Sequence, residues 1–457
     1  NPQYIRVHEV AWTDTSHGRV VASALPDAPL ENGAYRISAP SGLTRQVWLT
    51  FNPIDIDPAN YHGMIRIESP VANAEFPVLL NVYPFTLADE PALHLGGWDY
   101  VDCGGHRGVT PENRAALIEH LKEHYVDSPW ATNCVIPKGE HDATGAMTAP
   151  PDTARFDEWV SLWPNAAQYC IFAAVGSRFL DFPMGTPEFD KAVGDWTRFW
   201  AEHAERKSIA PEKLALLVVD EPHSNEQDAV ILAWAKAIHA TGTGVRVWED
   251  PTYRDMNEAN PEMIAECDVL CPNRPIFLRA GQAYRDYFIA ERARGATLEF
   301  YSCSGPARLL DPYAYYRLQA WTCWQYDAEA MYFWAFGDNS GASSWNEYML
   351  NRNGYTPQFL DPKSVTTAKQ MEAVREGVED YEYFLMLRDA IAQAEARGAA
   401  DEAVVAAKTL LDDAPLRVLE VGTSDSLMWD AAINRLLADQ VRKEILDALL
   451  ALREVSE

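Results

Sequence analysis

The sequence predicts a multidomain protein with an N-terminal β-sandwich over residues 1–88, a central (β/α)8 TIM-like barrel over 89–365 and an α-helical C-terminal region over 366–457. The first part holds short runs rich in Val, Ile, Phe and Tyr, cut by Pro and Gly/Asn segments, with no helical period. From about residue 92, strand-like apolar runs alternate with amphipathic segments, and eight such units over about 250 residues is the size of a β/α barrel. Beyond about residue 365 the apolar residues recur at i, i+3, i+4, the stripe of packed helices.

In the first part RQVWLTFNP, MIRIES and FPVLLNVYPF are the strand-like runs, with PANYHG between the first two. That is the pattern of a small antiparallel sandwich, read as incomplete at its amino end. The chain starts at Asn1 with no basic or apolar leader. Either a signal peptide has been removed or the chain starts inside a longer protein. A secreted or periplasmic location is expected, with a cytoplasmic one as the alternative.

The eight barrel strands are expected at 92–98, 133–137, 168–175, 214–222, 244–250, 268–273, 296–305 and 330–337. Between them lie helix-prone segments such as PENRAALIEHLKEHY (111–125), FDKAVGDWTRFWAEHAERK (189–207) and SNEQDAVILAWAKAIHAT (224–241), the last capped by Ser224 or Asn225. An open doubly wound sheet is the alternative, but no glycine-rich phosphate loop supports it.

Composition narrows the function. Lys plus Arg is 38 against 67 Asp plus Glu, a net charge of −29, which argues against nucleic acid and anionic membranes as partners. No apolar run reaches the roughly 18–20 residues of a membrane span, so no membrane insertion is expected. Fifteen Trp and twenty Tyr supply flat faces suited to sugar rings, although large aromatics are also ordinary core material. The seven Cys are odd in number and fall mostly in or beside predicted strands, as buried free thiols would. Cys267 and Cys271 have no second pair to complete a zinc pattern, so neither a metal nor a cofactor is expected. The oligomeric state is not legible.

The strongest chemical signal is LALLVVDEP (214–222). A buried-strand run stops on Asp220 and Glu221, followed by Pro222, which cannot continue the ladder. The acids then sit at the carboxyl rim, where such barrels place their chemistry. Glu221 is the candidate general acid for glycosidic cleavage, and Asp220 supplies the like charge that raises one pKa of the pair. A rim salt bridge or a helix cap is the structural alternative. A second carboxylate is normally the nucleophile. Glu299 lies inside the seventh strand rather than at its rim, and Asp250 sits beside Glu249 in a polar turn. In the other route the substrate's 2-acetamido oxygen attacks while Asp220 orients the acetamide N–H.

Three motifs in the barrel, DEP at 220–222, YSCSGP at 301–306 and RLQAWTCWQYDAEAMYFWAFG at 317–337, resemble glycoside hydrolase family 123. So does REGVEDYEYFLMLRDA at 375–390, and the resemblance extends from the N-terminal QVWLTFNP…YHGMIRI to the helical region. It implies a retaining β-N-acetylgalactosaminidase with an acetamide-assisted mechanism, a sandwich, a barrel and no metal. Asp220 is then the acetamide-stabilising residue and Glu221 the acid/base. The alternatives are a two-carboxylate retaining glycosidase acting on a plain sugar and a non-catalytic carbohydrate-binding barrel.

Further site candidates follow from position. Trp98, Trp248 and Trp334 lie at or near strand ends and would floor or wall a sugar pocket, unless they pack in the core. Tyr301 would hydrogen-bond the acetamide oxygen. Asn273 and Arg274 follow the sixth strand, where polar groups read hydroxyls; for Arg274 a salt bridge to a rim acid is the alternative. Trp345, in the otherwise unpatterned stretch 337–350, would stack on the ring. Glu379 and Asp380 are read as structural, pairing with Arg375 or a barrel loop.

Overall fold

The structure, a computed structural model, describes residues 3–15, 18–102, 107–337, 343–347, 354–398, 402–419 and 427–454. Eight parallel strands close into a barrel in chain order: His94–Gly97, Ser128–Thr132, Tyr169–Phe172, Leu214–Leu217, Arg246–Glu249, Val269–Leu270, Thr297–Ser302 and Ala330–Phe333. The eighth strand pairs with the first through Tyr332 opposite Gly96 and Phe333 opposite Gly97, which closes the ring. Closure requires glycine there: a Cβ on Gly96 would lie 2.3 Å from the Ser128 carbonyl and 2.4 Å from the Tyr332 ring. Aromatic rings fill the interior. Trp98 stacks on Trp130 at 4.0 Å, and Trp248 meets Trp130 and Tyr332 edge-on at 4.9 and 5.8 Å.

Helices cover the outside for reasons visible in their sequences. Pro187–Arg206 starts with Pro187 in its first turn, and the Thr186 hydroxyl accepts the Phe189 N–H. Asn225–His239 is capped by Ser224, which settles the expected alternative, and turns Ile231, Trp234 and Ile238 inward.

The second strand is displaced from its expected place and the other seven are shorter than the predicted segments. The second strand is Ser128–Thr132, ahead of the predicted 133–137; Asn133–Val135 is a 3-10 turn instead. Pro129 reads as a breaker in sequence, yet it pairs with Gly97, and Trp130 to Thr132 continue the parallel ladder. The fourth strand's ladder stops at Leu217, so Asp220 and Glu221 stand on an irregular extension beyond it.

The N-terminal region is antiparallel β structure. Ile5–Asp14 lies between Val20–Ala24 and Gln46–Phe51, and a long hairpin joins Ala59–Glu68 to Asn73–Val82. Alternation puts His8 and Val10 on the buried face of the first sheet.

The C-terminal helices Lys369–Ala396, Glu402–Leu419 and Leu437–Glu454 share one apolar core with the barrel, running from Leu93 to Leu452. Asp380, 2% exposed, is the polar node of that junction. It accepts from Arg317 Nε at 2.7 Å, Trp321 Nε1 at 2.7 Å and Arg442 Nε at 2.6 Å. Glu379 pairs with Arg375 one turn away on its own helix. Among the described residues no helix is long and apolar enough to cross a membrane, and no group of three His, Cys, Asp or Glu is arranged to hold a metal ion.

Candidate active site

Beyond Leu217 the chain lifts out of the ladder and its N–H groups find side chains rather than backbone. Glu249 Oε1 accepts from Val218 N at 3.1 Å and Val219 N at 3.3 Å, and Asp250 Oδ1 accepts from Glu221 N at 2.8 Å. Glu221 itself sits at φ +48°, in the left-handed region that costs a non-glycine residue about 1–2 kcal/mol. Its carbonyl is tied down as well, accepting from His223 Nδ1 at 2.7 Å and Thr252 Oγ1 at 3.2 Å. A strained backbone held from both sides is the arrangement found where a side chain must point one way.

That side chain meets Tyr301. The Tyr301 hydroxyl, from the end of the seventh strand, donates to Glu221 Oε1 at 2.6 Å. The phenol therefore reaches across the mouth to the fourth strand, and its partner is the acid rather than a free acetamide position. Asn273 lies beside the same hydroxyl, while its own Oδ1 caps the helix Arg274–Arg279 by accepting Ile276 N at 3.1 Å.

Asp220 keeps solvent access at the rim. Partial desolvation by the surrounding protein, and then the Glu221 charge, raise its carboxyl to about 6. The half-buried Cys303 faces the same acids; burial first, then Glu221, Asp220 and Asp250, push its thiol up to about 12, so it stays protonated at neutral pH.

The structure places the tryptophans unequally. Trp98, 6% exposed, lies at the end of the first strand, 6.4 Å from the Tyr301 ring, and so beneath the mouth. Trp334 is half-buried at the end of the eighth strand, where its Nε1 donates to the Tyr100 hydroxyl at 3.1 Å and Tyr355 packs edge-on at 4.2 Å. The Arg107 guanidinium lies over the Tyr100 and Trp334 rings at 5.0 and 5.6 Å. Tyr100, Arg107 and Tyr355 thus complete a rim that sequence reasoning missed. WDY directly after the first strand was the available signal for Tyr100; Tyr355 has none.

Three expectations are corrected, for Trp248, Arg274 and Trp345, while Glu299 lies inside the seventh strand as the sequence placed it. Trp248 is fully buried and cannot wall a sugar pocket, because it faces the barrel interior and donates to Glu299 Oε2 at 2.6 Å. Glu299 is 3% exposed, one layer below Tyr301, and burial raises its carboxyl to about 7. An enclosed, readily neutralised acid is no nucleophile. Arg274 is fully buried and pairs with no rim acid among the described residues; it donates to Thr322 Oγ1 and to the carbonyls of Ala314 and Tyr315. Trp345 packs on Phe359 at 4.6 Å in a small cluster with Ala24 and Ala368, held there by the N-terminal sheet. Most of the stretch assigned to its loop, 338–342 and 348–350, lies outside the described residues.

No protein-family model matches the chain, and no curated protein sequence matches it. Solved structures do. A family 39 glycoside hydrolase from Bacteroides cellulosilyticus aligns with 82% of this chain and 78% of its own at 9% identity and a TM-score of 0.41. A Bacteroidetes-affiliated GH5 cellulase aligns with 64% of this chain and 92% of its own at 12% identity and a TM-score of 0.39. A family 123 glycoside hydrolase from Clostridium perfringens, described in terms of glycolipid glycan hydrolysis, aligns with 99% of this chain and 86% of its own at 12% identity and a TM-score of 0.64. Along almost its entire length, the chain has the fold of that family 123 glycoside hydrolase.

Proposed function

We propose that the protein is a retaining glycoside hydrolase that removes a β-linked 2-acetamido sugar, N-acetylgalactosamine, from a glycan or glycoside by substrate-assisted catalysis. The observation that carries this is the adjacent pair Asp220–Glu221 at the carboxyl rim, with every other acid considered for the nucleophile buried out of reach: Glu249 and Asp250 are 0% exposed and Glu299 is 3% exposed. A conventional retaining site needs a second carboxylate about 5–5.5 Å from the acid and able to touch the sugar. The shared fold with the family 123 enzyme supports the same reading.

In this mechanism the acetamide oxygen attacks the anomeric carbon from the face opposite the aglycone. The glycosidic C–O bond breaks as Glu221 gives its proton to the leaving oxygen. Asp220 holds the acetamide N–H and stabilises the positive charge of the bicyclic intermediate. Glu221, now ionised, takes a proton from the water that opens this intermediate, and two inversions give net retention.

Hydrolysis of paired nitrophenyl β-glycosides tests the reading: GalNAc and GlcNAc should be cleaved, galactose and glucose should not. Cleavage of the plain sugars would restore a protein nucleophile. Asp220 must be ionised to hold the acetamide, so kcat/KM should fall as pH drops through about 6, the value to which its carboxyl is raised. In Asp220→Asn that acidic limb should disappear along with most of the activity. An unchanged limb in the variant would remove Asp220 from this role.

A further inference from the structure

We propose that Glu249 and Asp250 are positioning residues: together they splint the extension of the fourth strand by accepting the N–H groups of Val218, Val219 and Glu221, and so fix where Asp220 and Glu221 stand. This rests on the reading of Asp220 and Glu221 as the catalytic pair. An extension that leaves the ladder needs new acceptors for its buried N–H groups. Here consecutive residues at the end of the fifth strand supply them through their side chains, at 3.1, 3.3 and 2.8 Å.

Stability alone does not account for this arrangement. Both side chains are 0% exposed, and each keeps one oxygen, Glu249 Oε2 and Asp250 Oδ2, without a hydrogen-bond partner among the described residues. The leading charges on Asp250 are Asp220, Glu249 and Glu221, all acids, and those on Glu249 are Asp220 and Asp228; the other titratable neighbours are Tyr301, Cys271 and Cys303 for Asp250 and Cys267 for Glu249. A half-satisfied acid set beside other acids is an expensive way to fill a core. What it achieves is geometric. Asp250 holds the N–H of a residue at φ +48° whose carbonyl is already held by His223 and Thr252, which fixes the backbone from which the Glu221 side chain reaches Tyr301.

Burial, reinforced by the neighbouring acids, raises both carboxyls well above their ordinary range, and what each gives the extension is an acceptor oxygen, which a side-chain amide also carries. An amide should therefore replace either acid, whereas alanine should not. Amide hydrogen exchange at residue resolution on the full chain reads the splint without reference to turnover. The Glu221 amide should exchange about tenfold faster in Asp250→Ala, the effect of one lost acceptor, and be protected again in Asp250→Asn. Val218 and Val219 should respond in the same way to Glu249→Ala and Glu249→Gln.

On an alkyl N-acetylgalactosaminide, Asp250→Ala should lower kcat about a hundredfold with KM within about threefold, as a misaimed acid does, and Asp250→Asn should recover most of that loss. Unaltered exchange at Glu221 in Asp250→Ala overturns the proposal. So does an Asp250→Asn variant as impaired as Asp250→Ala, since the charge would then be the working part. If the wild-type protein cleaves no glycoside, the catalytic reading fails by itself, and the exchange data still decide whether the splint exists.

Discussion

Replacing Glu221 with Gln is expected to lower kcat/KM for an alkyl N-acetylgalactosaminide about a thousandfold, the contribution of a well-placed general acid. Gln is isosteric and can still accept from the Tyr301 hydroxyl, so the site keeps its shape and loses only the transferable proton. A nitrophenyl glycoside leaves without protonation, and its bond cleavage should be hardly affected in the same variant. Water attack on the intermediate would then become slow, because no base remains to activate it. Added azide, a nucleophile that needs no base, should restore turnover and yield a β-glycosyl azide. A uniform loss on both substrates with no response to azide would take Glu221 out of the acid/base role.

The largest effect on stability is expected away from the mouth. Asp380→Ala removes the acceptor shared by Arg317, Trp321 and Arg442. The Arg317 guanidinium, with its side chain 8% exposed, then loses its buried counterion, and breaking such a pair from one side costs about 3–5 kcal/mol. Urea unfolding should show a lower midpoint at an unchanged slope. An unchanged midpoint would mean that Arg317 is fully compensated by Asp439 and Glu376, which also lie within ion-pair distance.

The barrel was legible because its strands are apolar on both faces and end at recognisable breakers. It misled most at the second strand, expected at 133–137 and found at Ser128–Thr132. The acid pair was legible for the same reason, since Pro222 marks the end of a run. Depth was not legible. Sequence puts Trp248 near a strand end, but how far it lies below the rim depends on the stagger of neighbouring strands, and it falls in an enclosed layer beside Glu299. Glu249 and Asp250 looked like an ordinary polar turn, because an acceptor's role depends on which N–H groups another segment brings to it. Tyr301 was read as a partner for the acetamide oxygen; its hydrogen bond to Glu221, beyond the fourth strand, is invisible without closure of the ring.

The shared core of barrel and C-terminal helices has a consequence for how the chain matures during synthesis. Arg442, which helps neutralise Asp380, lies in the helix Leu437–Glu454. Val441, Ile445 and Leu449 of that helix are buried in the same core as the barrel. When the eighth strand leaves the ribosome, the ring can close, but the apolar seat of that helix is still bare. For the time needed to translate as far as that helix, several seconds at about 5–20 residues per second, the nascent barrel carries an exposed sticky face. Holding chaperones should engage ribosome-bound chains arrested within this interval, and release them once the helix Leu437–Glu454 has docked.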